Sequence, residues 1–145
     1  MAECFTHIGE EAPINPSFAI SLAGCALRCR YCQQSAILYP ARVSGVELTS
    51  DLWKDLDFGE ARTVSFVGGN PDESIFAILQ FLNSAPPDFE LPIVWNSHAY
   101  STPESMALLH GVVDAYLPDF KYGNLLASSP VRVRKAEDWT SLECK

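Results

Sequence analysis

Short apolar runs alternate with amphipathic segments along most of the chain. Ser17 to Leu22 (SFAISL), Thr63 to Val67 (TVSFV), Leu91 to Trp95 (LPIVW) and Val112 to Leu117 (VVDAYL) are rich in aromatic and branched residues and read as strands. Helix signals lie between them. Thr49 or Ser50 caps a short helix running through Leu56 and stopped by Gly59. The clearest helix is PDESIFAILQFLNSA, with Asp72 as its cap and Ile75, Ile78, Leu79 and Leu82 on one face. Thr102 and Pro103 open another as cap and first residue, and Gly111 closes it. A further helix is expected within or just after the cysteine group that follows the first strand. Strands and helices taken in turn predict an α/β fold with a parallel sheet. No internal repeat or low-complexity tract interrupts the pattern.

Composition narrows the class. With 145 residues, 48% of them hydrophobic and 19% charged, the chain suits one domain with a sizeable core, which rules out disorder throughout. Its formal charge of −8 repels a nucleic-acid backbone, so no nucleic-acid partner is expected. The first seventeen residues have no basic start and no apolar run, and no stretch reaches bilayer-spanning length. We therefore expect a cytoplasmic protein without a membrane partner. In such a compartment thiols stay reduced, and cysteines serve metals or catalysis more than disulfides. Residues 125–145 are slightly basic and show no periodic element, so they read as an irregular tail after a core over 17–124, with 1–16 as an N-terminal extension.

Three of the five cysteines, Cys25, Cys29 and Cys32, fall in the spacing CxxxCxxC on the loop after the first strand. Thiolates so close in sequence can converge on one inorganic centre. Structural zinc takes four protein ligands, for which His98 or Cys4 would be the fourth, and the spacing singles out neither. Three thiolates suit a 4Fe-4S cluster with one iron left open.

The segments GCALRCRYCQ, VGGNPDES, LPIVWNS and YLPDFKYGN stand in the order found in radical SAM enzymes, and the chain resembles that family over about residues 17–124. It is similar in particular to the pyruvate formate-lyase activating enzyme group. The resemblance implies a partial parallel βα barrel of about four units, shortened at its C-terminal end. Cys25, Cys29 and Cys32 would each hold one iron, with Tyr31 in the aromatic slot of the motif, and S-adenosylmethionine would chelate the fourth. Its reductive cleavage would yield a 5′-deoxyadenosyl radical that abstracts a hydrogen atom. Gly68, Gly69, Asn70 and Pro71 match the segment that faces the cofactor's amino group, with Asn70 where the commonest motif has Glu. Asn96, Asp119 and Lys121 match positions lining the cofactor pocket, where the lysine meets the methionine carboxylate. A reductant such as flavodoxin or ferredoxin, and a protein or small-molecule substrate, are the implied partners. The alternative is a truncated, non-catalytic homologue acting as a cluster- or zinc-binding interaction module.

Other residues have plainer readings. Phe66 and Trp95 belong to the core, while His7, His98 and His110 are expected in polar loops or at helix ends. Arg28 and Arg30 flank the cysteines and read as exposed loop residues.

Overall fold

A computed structural model of the chain describes residues 3–7, 12–119 and 121, the first five as backbone alone. The tail expected over 125–145, the side chains of Cys4 and His7, and Cys144 lie outside the described residues. One five-stranded sheet organises the rest: β1 (Glu3–His7), β2 (Ser17–Leu22), β3 (Thr63–Gly68), β4 (Ile93–Ser97) and β5 (Ala115–Pro118), neighbours in space as in sequence. The last four strands run parallel. β1 is antiparallel to β2, pairing Glu3 with Ser21 and His7 with Ser17. It occupies part of the segment expected to be an N-terminal extension, because a five-residue strand whose partners lie ten to eighteen positions on leaves little local signal.

The connections are helical. A 3-10 helix (Ser50–Asp55) precedes β3, a 3-10 turn (Pro71–Ser74) and α1 (Ile75–Asn83) link β3 to β4, and α2 (Pro103–Leu109) links β4 to β5. Side chains alternate across a strand, so each face of the sheet has its own character. Phe18, Ile20, Leu22, Val64, Phe66, Ile93 and Trp95 point to the helical side and pack with Trp53, Ile75, Ile78 and Phe81. Trp53 stacks flat on Phe81 at 4.3 Å between ring centroids and donates its indole N–H to the Phe81 carbonyl at 3.0 Å. Leu79 and Leu82 are only partly buried, and Phe81 takes the central place instead.

The other face carries small and polar residues: Ser17, Ala19, Ser65, Val67, Asn96 and Leu117. Buried hydroxyls knit its near end, where Ser17 and Ser65 are 2.6 Å apart and Thr63 donates to the Ile14 carbonyl at 2.7 Å. This second face is the floor of a cavity.

Strand starts differ from expectation for traceable reasons. β4 begins at Ile93, not Leu91, since Pro92 has no N–H to give a ladder and the Asp114 carboxylate accepts the Ile93 N–H at 2.7 Å. β5 begins at Ala115, not Val112, because the N–H groups of Val112 and Val113 return to the Leu109 carbonyl and close α2. Thr102 caps α2 as expected, accepting from Ser105 N–H at 3.2 Å. No helix among the described residues is long and apolar enough to cross a membrane.

Candidate metal centre

After β2 the chain turns at Gly24, whose φ is +105°, into the loop bearing Cys25, Cys29 and Cys32. Backbone bonds fold this loop back on itself, from Cys32 N–H to the Cys29 carbonyl at 3.1 Å and from Gly24 N–H to the Ile37 carbonyl at 2.8 Å. Two 3-10 turns follow, Ser35–Ile37 and Pro40–Arg42, where a helix is expected within or just after the cysteine group. Arg28, though exposed, lies over the Tyr39 ring with its guanidinium carbon 5.4 Å from the centroid.

The three thiols are free, half-buried, and line one cavity of about 500 Å³ at the C-terminal ends of the parallel strands. Tyr31, Gly68, Gly69, Asn70, Asn96, Asp119 and Lys121 line the same cavity. Pro71 does not; it is buried at the start of its turn. Lys121 pairs with the Asp119 carboxylate, and the Tyr31 hydroxyl donates to the Lys121 backbone carbonyl at 3.0 Å.

The glycine pair has a steric explanation within the chain itself. An added Cβ on Gly69 would stand 2.0 Å from the Gly24 carbonyl oxygen, and one on Gly68, at φ +101°, would meet Leu22 backbone atoms at 2.5–2.6 Å. Gly69 N–H also donates to the Leu22 carbonyl at 2.8 Å. The β3 exit and the stem of the cysteine loop are thus in backbone contact, which only hydrogen side chains permit.

Asn70 is buried and both ends of its amide are engaged. Its Oδ1 accepts the His98 N–H at 3.0 Å, and its Nδ2 donates to Glu73. Glu73 also accepts the Ala26 N–H at 2.7 Å, reaching into the cysteine loop, and lies 3.4 Å from His98 Nε2. Three loops therefore meet at one carboxylate: those after β2, β3 and β4. Asp72, expected to cap the helix, instead accepts the Trp95 indole N–H at 2.7 Å.

His98 sits in the polar loop after β4, as expected, and is buried there at 8% exposed. Its Nδ1 accepts the Tyr100 N–H at 3.1 Å, which assigns the ring hydrogen to Nε2 on the side of Glu73. Ligand atoms of Cys25, Glu73 and His98 all lie within 4.8 Å of one another. Burial pushes the Cys25 thiol upward, and the nearby Glu73 charge adds to the effect. Burial also pushes the Glu73 carboxyl upward, but the bonds from His98, Ala26 N–H and Asn70 outweigh it and hold the group at about 2.

Three thiols from one short loop, opening together into a cavity, match the donor set of a cluster bound through three of its irons. The sequence over residues 17–121 matches the family described as the 4Fe-4S single cluster domain. The chain belongs to that family. A protein of Methanocaldococcus jannaschii described as uncharacterized is 37% identical to this single-cluster domain over 130 residues. The match covers 83% of the present chain and 37% of that protein, so the domain spans little more than a third of its relative's length. No solved structure was found to match it.

Within the domain, sequence reasoning missed Glu73 and reached His98 only as a candidate fourth zinc ligand that the spacing did not single out. Asn70 and Glu73 have the spacing of a capping box, but their side chains bond each other and Asn70 caps no backbone N–H. Nothing local points from either residue to His98, which arrives only through the parallel pairing of β3 with β4.

Proposed function

We propose that this single-cluster domain works as a radical SAM protein. The observation that carries the reading is the shared cavity, in which the three thiols face the glycine turn and the polar ends of β4 and β5. When bound, the cluster and S-adenosylmethionine would together supply a 5′-deoxyadenosyl radical for hydrogen-atom abstraction.

The chain's own residues have defined tasks in this reading. Cys25, Cys29 and Cys32 hold three irons as thiolates. Gly68 and Gly69 bring bare backbone to the cavity wall, where their carbonyls receive the cofactor's ammonium. Lys121, now paired with Asp119, meets the carboxylate, and Asn96 offers an amide on the floor between them. Asn70 is withdrawn from direct contact by its bonds to His98 and Glu73. Tyr31 closes one wall of the cavity by its bond to the Lys121 carbonyl. The parallel strands then form the first units of a βα barrel, and a cytoplasmic flavin or iron–sulfur reductant and a protein or small-molecule substrate complete the system. Likeness to the activating enzymes of glycyl-radical proteins suggests the protein substrate.

Anaerobic reconstitution with iron and sulfide, followed by electron paramagnetic resonance, tests the proposal. A reduced 4Fe-4S signal should appear and shift when S-adenosylmethionine is added, and Cys29→Ala should abolish both the signal and cofactor cleavage. A signal indifferent to the cofactor, or native cleavage by the Cys29→Ala protein, would refute it.

A second reading is favoured by one observation, the convergence of Cys25, Glu73 and His98 within 4.8 Å. Sulfur, carboxylate and imidazole donors suit zinc, making the domain a metal-stabilised interaction module. Stoichiometric zinc in the purified protein, with no uptake of iron and sulfide on reconstitution, would establish it.

A further inference from the structure

Glu73 stands behind the cysteine loop and does not line the cavity, so contact with a ligand there does not account for it. Its carboxylate lies within 4.8 Å of the Cys25 sulfur. Among the described residues no lysine or arginine forms an ion pair with it. The Asp119–Lys121 and Asp51–Lys54 pairs are self-contained, and Arg28 rests on Tyr39. His98, the basic group beside it, is shared with a second acid, its ring lying 3.4 Å from Glu73 and 3.6 Å from Asp72. Among the described residues, then, the Glu73 carboxylate has no lysine or arginine partner, and hydrogen bonds from Ala26 and Asn70 fix its position.

We infer that Glu73 sets the reduction potential of the cluster, acting as a fixed negative charge behind the Cys25 ligand that makes the cluster harder to reduce. Cluster potentials respond to nearby net charge, hydrogen bonding and exposure. Reduction adds one electron and one negative charge to the assembly of irons, sulfides and thiolates, with no bond made or broken at Glu73. A carboxylate a few ångströms from a ligating sulfur opposes that added charge. Glu73 is a positioning residue as well, since the same oxygen that faces Ala26 N–H pins the loop. The inference rests on the cluster and not on S-adenosylmethionine cleavage, so a measurement without cofactor separates the two.

The test is a redox titration of the reconstituted full-length protein, with dithionite as electron donor, mediators in solution, and the reduced-cluster resonance as readout. Glu73→Gln keeps an oxygen for Ala26 N–H and removes the charge. Reduction should become easier on the order of tenfold, which is ~59 mV upward for a one-electron couple. Asp51→Asn removes an equal charge from the far surface and should leave the midpoint unchanged. A merely structural role would lower the amount of cluster bound without moving the potential of what remains. An unchanged midpoint in loaded Glu73→Gln, an equal shift in both variants, or failure of Glu73→Gln to take up iron and sulfide at all would overturn the inference.

Discussion

Replacing Gly69 by Ala puts one methyl group where the structure has no room for it. The new Cβ would fall 2.0 Å from the Gly24 carbonyl oxygen, 2.7 Å from its carbon and 2.9 Å from its nitrogen, all backbone atoms. A flexible side chain could swing aside; a peptide unit anchored by Gly24 N–H to Ile37 at 2.8 Å cannot do so without moving the cysteine loop. Overpacking of this kind costs about 1–3 kcal/mol. For a domain of this size each kcal/mol lowers the melting temperature by roughly 3–5 °C, so apo Gly69→Ala should melt about 3–15 °C below the native protein. The damage is directional as well, since the contact forced apart is the one joining the β3 exit to the cysteine loop. Iron and sulfide uptake should therefore fall more steeply than stability does. Circular dichroism melts of the apo protein and iron–sulfide analysis after reconstitution measure the two effects. A Gly69→Ala protein that melts with the native one and takes up a full cluster would show that the glycine is not there to admit the Gly24 peptide.

Trp53→Ala removes the aromatic stacked on Phe81 and its indole bond to the Phe81 carbonyl; the expected loss is about 3–5 kcal/mol, measured by urea unfolding, and a loss below ~1 kcal/mol would contradict the packing described. Glu73 predicts an acid limb for the apo protein. Its carboxyl, held at about 2 against an ordinary value of 4.5, contributes stability that is fully present above 4.5 and lost as pH falls through about 2. Melting temperatures across that window should decline less in Glu73→Gln than in the native protein, and parallel declines would refute the assignment.

Much of the sheet could be read from the sequence, because buried parallel strands carry their own apolar signal. Thr63 to Val67 was such a case, and the structure adds only Gly68. Ends were harder, since Pro92 and the α2 closing bonds at Val112 and Val113 decide where a ladder can start. β1 escaped because its pairing with β2 is set by tertiary contact and its residues show no distinctive alternation. In the site, the cysteines were legible as neighbours in sequence, whereas Glu73 lies 47 positions from Ala26 and 25 from His98. Asn70 was legible as a departure from the commonest motif; that its amide would be spent on His98 and Glu73 was not.

The bond from the Tyr31 hydroxyl to the Lys121 carbonyl joins residues 90 positions apart, and that distance imposes a timetable. A chain made from its N-terminus at about 5–20 residues per second has joined its three cysteines roughly 5–20 s before Lys121 is added. During that interval the cysteines are present but the wall that Tyr31 completes is not. The thiols belong to an open loop first, and to the shaped cavity only once β5 and Lys121 are in place. The wall that Tyr31 completes is therefore a late addition to a loop made early.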